Sequence, residues 1–241
     1  MESFAPRFCP RPTRMAFKAG VSRGIALLWV AMTTAHPDDH QILDVLKALS
    51  DRHPIARRLI EAHGPFTPRR TLQPEVFRPL ARSIIYQQLA GKAAASIHGR
   101  FEALFDGEPA ADDVLREDPE RIRQVGLSRA KRDAILALAE FSLSADGSIE
   151  RLLSLDDDAQ QKALCVVRGI GPWTAQMWQL FHLGRLDIWP TGDLGVRKGC
   201  QRAFEMEATP SAKDLMPVGE PFRPYRSVLA WYCWRAADAA P

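Results

Sequence analysis

From Asp38 onward the apolar residues recur three and four positions apart, the period of a helix with one face turned to a core, and Pro, Gly and Asp punctuate the runs. Ile42, Val45, Leu46 and Leu49 form one such stripe, and Ile55, Leu59 and Ile60 form a second after Pro54. The segment from Gly64 to Pro74, with Pro65 and Pro68 inside it, reads as a linker. Beyond it the pattern predicts helices over residues 75–89, 92–105, 119–125, 129–143, 157–167, 172–183, 194–205 and 224–237. No run alternates with the period of two that a half-buried strand requires, and no internal repeat is present. The fold class expected is all-α.

Residues 1–35 stand apart. Several cations precede a short apolar run, Gly24 to Met32, in weak imitation of a secretory signal, but the run is too short to span a membrane. A disordered extension, or a natural start at Met32, explains the segment more simply, and it is left out of the fold argument.

Composition narrows the class without naming a function. With 46% of residues hydrophobic and 25% charged, the chain has the make-up of a globular protein, not of a disordered or fibrous one. The formal charge of +3 is misleading, because residues 1–31 carry Arg7, Arg11, Arg14, Lys18 and Arg23 against Glu2 alone, which leaves −1 for the rest. Global charge therefore makes no case for a polyanionic partner. Cys9, Cys165, Cys200 and Cys233 are too scattered for a zinc knuckle or an iron-sulfur cluster and fit a reducing cytoplasm. The six histidines make no HExxH or zinc-deaminase pattern.

The informative segment is ALCVVRGIGPWTAQM, Ala163 to Met177. Gly169 and Gly171 permit backbone shapes or close approaches that a Cβ would hinder, and Pro172 suits a first helical turn. Such a turn would present uncapped N–H groups to a phosphate. On its own, GIG reads more simply as a helix stop and turn. A dinucleotide fingerprint is a poorer match, because Thr174 stands at the third glycine position and no helix and strand units alternate around it.

Four motifs, IIYQQLAGKAA (Ile84 to Ala94), RGIGPWTA (Arg168 to Ala175), PTGDLGVRKG (Pro190 to Gly199) and PYRSVLAWYCW (Pro224 to Trp234), occur in order across most of residues 75–236. With them the sequence resembles the helix-hairpin-helix base-excision DNA glycosylases, and within these the DNA-3-methyladenine glycosylase II group. The resemblance implies two helical lobes in a compact form without the β-rich N-terminal domain of larger relatives. One lobe would comprise residues 36–70 plus 195–241, and the other residues 75–190 with the hairpin at 164–177.

The resemblance also nominates site residues. Asp193, which from its position alone is an N-cap, matches the catalytic carboxylate that would stabilise an oxocarbenium-like sugar and orient or deprotonate water. Trp173 stands where lyase relatives carry a Schiff-base lysine, so hydrolysis without strand cleavage is implied. Trp173 and Trp234 would wall the base pocket, with Met177 where some members have tyrosine; Trp231 is a pocket candidate that, like Trp178, its helical position favours as core. A cationic methylated purine suits such aromatic faces. Gln88 or Leu89 would fill the gap left by a flipped base. Gly169, Gly171, Thr174 and Lys198 would contact DNA, with Arg168 and Arg226 as phosphate or carboxylate partners.

No cofactor is implied for the chemical step. A monovalent cation would sit in the hairpin on the main-chain carbonyls of Cys165, Val167 and Ile170. The expected partner is double-stranded DNA with alkylated bases, engaged by a monomer at the nucleoid in the cytoplasm, with no membrane role. A non-catalytic hairpin protein is the alternative, and the sequence does not rank 3-methyladenine, 7-methylguanine or other damaged bases.

Overall fold

A computed structural model of the chain describes residues 39–68 and 73–239; the reading of residues 1–35 lies outside them. Among the described residues there are thirteen α-helices and one short 3₁₀ turn, and no strand. In chain order they are α1 (Asp39–Arg52), α2 (Pro54–His63), α3 (Phe77–Tyr86), α4 (Gly91–Ala103), α5 (Ala111–Arg116), α6 (Pro119–Gln124), α7 (Arg129–Leu143), α8 (Ile149–Leu153), α9 (Asp157–Leu164), α10 (Pro172–Phe181), α11 (Leu194–Ala203), α12 (Ala212–Gly219), the 3₁₀ turn Glu220–Phe222, and α13 (Arg226–Asp238). Polar caps start many of them. Asp118, Ser128, Ser148, Asp156, Asp193 and Ser211 each accept a backbone N–H from the first turn that follows.

Several boundaries depart from the sequence pattern. The helix expected over 75–89 stops at Tyr86, because Gln87 turns extended and Gln88 adopts φ 56°. The one expected over 157–167 stops at Leu164, where the hairpin turn begins. Helices α5 and α8 have only 6 and 5 residues, too few for a period to show. Helix α12 carries Pro217 within it, a residue that removes a helical N–H and masks the pattern in the sequence. The expected linker is not merely a connector: Phe66 is buried and packs edge-on to Trp231.

Two helical lobes result from how the apolar faces pair. In the first, α3 is buried through Leu80, Ile84 and Ile85 and packs with Ile135 and Leu138 of α7 and with Leu164, Ile170 and Trp178 of the hairpin. In the second, Ile42, Leu46 and Leu59 of α1 and α2 join Val196 and Cys200 of α11 and Val228, Leu229 and Cys233 of α13. A smaller group, Met177, Leu180 and Ile188 with Phe181 and Trp234, brings side chains of α10 and α13 together. Full burial of each large aliphatic side chain contributes about 1.5–3 kcal/mol, which makes these clusters the main hold on each lobe.

Helices α11 and α13 cross at Gly199, where a side chain has no room: a Cβ there would lie 1.7 Å from the Cys233 carbonyl oxygen. That contact is backbone and cannot swing aside. Gly199→Ala is therefore expected to destabilise the protein by about 3 kcal/mol or more, at the upper end for overpacking, in a denaturant titration. Gly192→Ala, with nothing within 4 Å of the new Cβ, serves as the control.

Candidate active site

The hairpin consists of α9, a turn over residues 165–171, and α10. Gly169 has φ 88°, and a Cβ on it would come within 2.7 Å of the Ala134 Cβ, so glycine is needed there both for conformation and for space. Gly171 differs from expectation. Its φ of −97° is ordinary and a Cβ would meet nothing within 4 Å, so the glycine relieves no internal crowding. What it leaves is open space in front of a helix start that has no side-chain cap.

Asp193 is delivered by the segment from Arg185 to Gly192. The N-terminal end of α13 fixes this segment: Arg226 donates to Asp187 Oδ1 at 2.8 Å and to the Asp187 carbonyl at 2.9 Å. Ser227 Oγ accepts from Ile188 N at 2.8 Å while donating to the Arg185 carbonyl at 2.7 Å. Arg226 is thus a carboxylate partner and not a free phosphate contact. Trp189 is anchored through its Nε1, which donates to the Leu215 carbonyl at 2.9 Å.

At the end of this segment Asp193 is 8% exposed. Its Oδ1 accepts from Val196 N at 2.8 Å, the α11 cap, and from Trp234 Nε1 at 2.8 Å. Its Oδ2 accepts from Trp173 Nε1 at 2.7 Å. Capping therefore coexists with two indole contacts, and Oδ2 retains acceptor capacity. Gly195 permits the arrangement, since a Cβ there would lie 2.8 Å from Trp234 Cδ1.

The indole rings of Trp173 and Trp234 line a cleft of about 1100 Å³ that also touches Gln88, Gly171, Thr174, Met177 and Phe181. Asp193 is not part of that lining; it holds the N–H edges of the two rings. Trp173 is 39% exposed, and Phe181 lies against Trp234 with centroids 5.3 Å apart. Met177 reaches the cleft but is largely buried beside Leu180 and Ile188. Trp231 lines the cleft from the second lobe, with Arg235 over its ring at 4.6 Å. Trp178 is core, its Nε1 donating to the Glu75 carbonyl. His98, which also lines the cleft, has its pKa lowered chiefly by burial, despite Glu102 beside it.

The remaining expected residues scatter. Gln88 is exposed at the cleft, whereas Leu89 is half-buried and lies outside its lining. Thr174 is buried, and its hydroxyl accepts from Gln87 Nε2 at 3.3 Å, a contact within the protein. Lys198 is half-buried without a hydrogen-bond partner among the described residues, and Arg168 is exposed. Sequence reasoning missed Phe181 at the cleft and the Gln87 contact to Thr174. Phe181 follows Met177 by one helical turn and could have been found from that spacing; the Gln87 contact joins residues that no local pattern brings together.

A helical hairpin thus lies beside a carboxylate clamped by two tryptophans, at a cleft between two helical lobes. The chain belongs to the HhH-GPD superfamily of base excision DNA repair proteins, whose model it matches over residues 81–224. It is 30% identical over 190 residues to DNA-3-methyladenine glycosylase 1 of Schizosaccharomyces pombe, covering 76% of this chain and 82% of that protein. The crystal structure of a DNA-3-methyladenine glycosidase from Bacillus halodurans superposes with a TM-score of 0.74 at 30% identity, over 83% of this chain and 91% of that one. The Schizosaccharomyces pombe 3-methyladenine DNA glycosylase in complex with abasic DNA superposes with a TM-score of 0.68 at 28% identity, over 82% and 98% of the two chains.

The clamp makes Asp193→Asn more disruptive than a change of charge alone. If the amide oxygen keeps Val196 N and Trp234, the amide NH₂ must face the Trp173 N–H, two donors in opposition. Trp173 should come free, giving a red-shifted tryptophan emission that is absent in Asp193→Asn/Trp173→Phe. An unshifted spectrum in the single mutant would show that Asp193 does not hold Trp173.

Proposed function

We propose that the protein is a monofunctional DNA glycosylase of the DNA-3-methyladenine glycosylase II type, which hydrolyses the N-glycosidic bond of alkylated bases in duplex DNA. The observation that carries this reading is the Asp193 carboxylate fixed by the N–H edges of Trp173 and Trp234 while their rings face the cleft. The names of the relatives support the alkylated-base class.

Chemistry follows from the parts. A base such as 3-methyladenine or 7-methylguanine is cationic in its nucleotide, so an aromatic wall favours it by about 0.5–2 kcal/mol. It is also a good leaving group, which lowers the demand for a protein acid. As the bond to the base breaks, positive charge develops on the deoxyribose. Asp193, held by three N–H donors, stabilises that charge without reorganising, and the open acceptor position on Oδ2 takes a proton from attacking water. Trp173 offers no amine for an imine, and Lys198 lies five residues beyond Asp193, about 140° around α11 from it.

Backbone phosphate would bind at the uncapped start of α10, with Gly169 and Gly171 shaping the approach and Arg168 and Lys198 adding charge. A monovalent cation in the hairpin would rest on the carbonyls of Cys165, Val167 and Ile170. None of residues 165–171 carries a carboxylate, so the donors are neutral, which fits a monovalent ion better than a divalent one. Such an ion would support phosphate binding, and the bond-breaking step needs no cofactor. Gln88, exposed at φ 56°, is better placed than Leu89 to enter the duplex. The working units would be residues 36–70 plus 195–241 and residues 75–190, acting as a monomer at the nucleoid. No helix among the described residues is long and apolar enough to cross a membrane.

Incubation with methylated duplex DNA should release free methylated bases, resolved by chromatography, and nicks should appear only after alkali. Borohydride should trap no enzyme-DNA adduct; one mapped to Lys198 would overturn the monofunctional assignment. Asp193→Asn should slow single-turnover release by at least about 100-fold while duplex binding persists. A wild-type protein that binds duplex DNA but releases no base would instead be the non-catalytic hairpin protein.

A further inference from the structure

Helix α7 begins with Arg129, Lys131 and Arg132 and has no acid in its first turn. This is the end of a helix where the backbone dipole disfavours positive charge. Arg132 is compensated by Asp133 at 2.6 Å and Glu120 at 3.9 Å. Lys131 has no such carboxylate among the described residues. Its Nζ instead donates at 2.7 Å to the carbonyl of Ile85 and at 2.7 Å to that of Gln87. Those oxygens lie at the C-terminal, negative end of α3, where orphan carbonyls favour a cation.

The next links run to the hairpin. The Gln87 side chain donates from Nε2 to the Gly169 carbonyl at 3.0 Å and to Thr174 Oγ1 at 3.3 Å. Gly169 itself sits against Ala134, one turn along α7 from Lys131. One helix therefore touches both the hairpin turn and the loop after α3. Gln88, the residue that follows, is exposed and lines the cleft with a left-handed backbone that non-glycine residues disfavour. Such a conformation persists only when its surroundings enforce it.

We propose that Lys131 is a positioning residue for base release: it holds the loop Gln87 to Ala90 in the form that projects Gln88 toward the DNA, and it registers that loop on the helix that seats the hairpin. The proposal rests on the glycosylase reading above. Burial lowers the Lys131 pKa, which agrees with an ammonium group withdrawn from water to serve internal acceptors. The Lys131 ammonium makes no base or phosphate contact in this role. It acts through the two carbonyls.

The test uses the full chain with Lys131→Met, which keeps the length of the stem and removes the donors. Affinity is measured for an intact duplex and for one holding a stable abasic-site analogue, alongside single-turnover base release. If Lys131 acts through the loop, binding to intact duplex stays within about twofold, preference for the abasic duplex falls by about tenfold, and release slows by a similar factor, the scale of a lost charged hydrogen bond. Lys131→Arg, which restores a charged donor, should recover most of the preference. An unchanged preference in folded Lys131→Met overturns the proposal, as does an equal loss for both duplexes, which is what a merely structural role would produce.

Should Lys131→Met fail to fold, Gln87→Leu cuts the other tie and must lower the same preference by about threefold; no change there overturns the proposal. Wild-type protein that releases no base defeats the glycosylase reading and this inference with it. Wild-type release matched by Lys131→Met defeats this inference alone.

Discussion

The position of one buried carboxylate governs much of the architecture. An ionised side chain taken out of water without partners costs several kcal/mol, so Asp193 can occupy its place only because donors from three separate helices meet it. Val196 N belongs to α11, Trp173 to α10 and Trp234 to α13. Satisfying one group thereby fixes the spacing of those three helices. The cost of a misplaced helix is a carboxylate with an unmet acceptor, which makes the cleft geometry stiff where the chemistry needs it. The indoles of Trp173 and Trp234 lose their free N–H in the process, so what they present to the cleft is the ring face.

The same constraint explains residues that look incidental in the sequence. Gly195 and Gly199 let α11 approach Trp234 and Cys233, and any side chain at either would push α13 away from Asp193. Arg226 and Ser227 then hold the approach segment by Asp187, Arg185 and Ile188, so the first turn of α13 positions the carboxylate while its last turns supply Trp234. The motif PYRSVLAWYCW thus carries two jobs at opposite ends of one helix, with a buried middle between them.

Legibility in the sequence followed the range of the interactions. The all-α class showed through spacing alone, since amphipathic periodicity is local and most of the helices are long enough to display it. Boundaries set by a single residue did not: Gln88 looks like a continuation of α3 and instead takes φ 56°. Asp193, Trp173 and Trp234 were reached through motif resemblance, yet their mutual bonds span 20 and 41 residues and no spacing rule announces them. Gly169 and Gly171 look alike in the sequence, yet only Gly169 is required by its own backbone and neighbours; at Gly171 the space within the protein is open. Lys131 reads as one more surface cation until its two carbonyl partners, 46 and 44 residues away, are seen.

Charge gives a final constraint on how such a protein would handle DNA. Beyond residue 31 the chain sums to −1, so net charge by itself does not draw a duplex to it. In the proposed reading, grip comes from oriented backbone N–H groups at the hairpin and a small number of cations, an arrangement that would release fewer counterions than a basic patch. In that reading, discrimination is left to what happens after a base leaves the stack, where the aromatic walls, the clamped Asp193 and the loop at Gln88 would act together. A tight generic grip would lower the energy of every undamaged complex equally and add nothing to that choice.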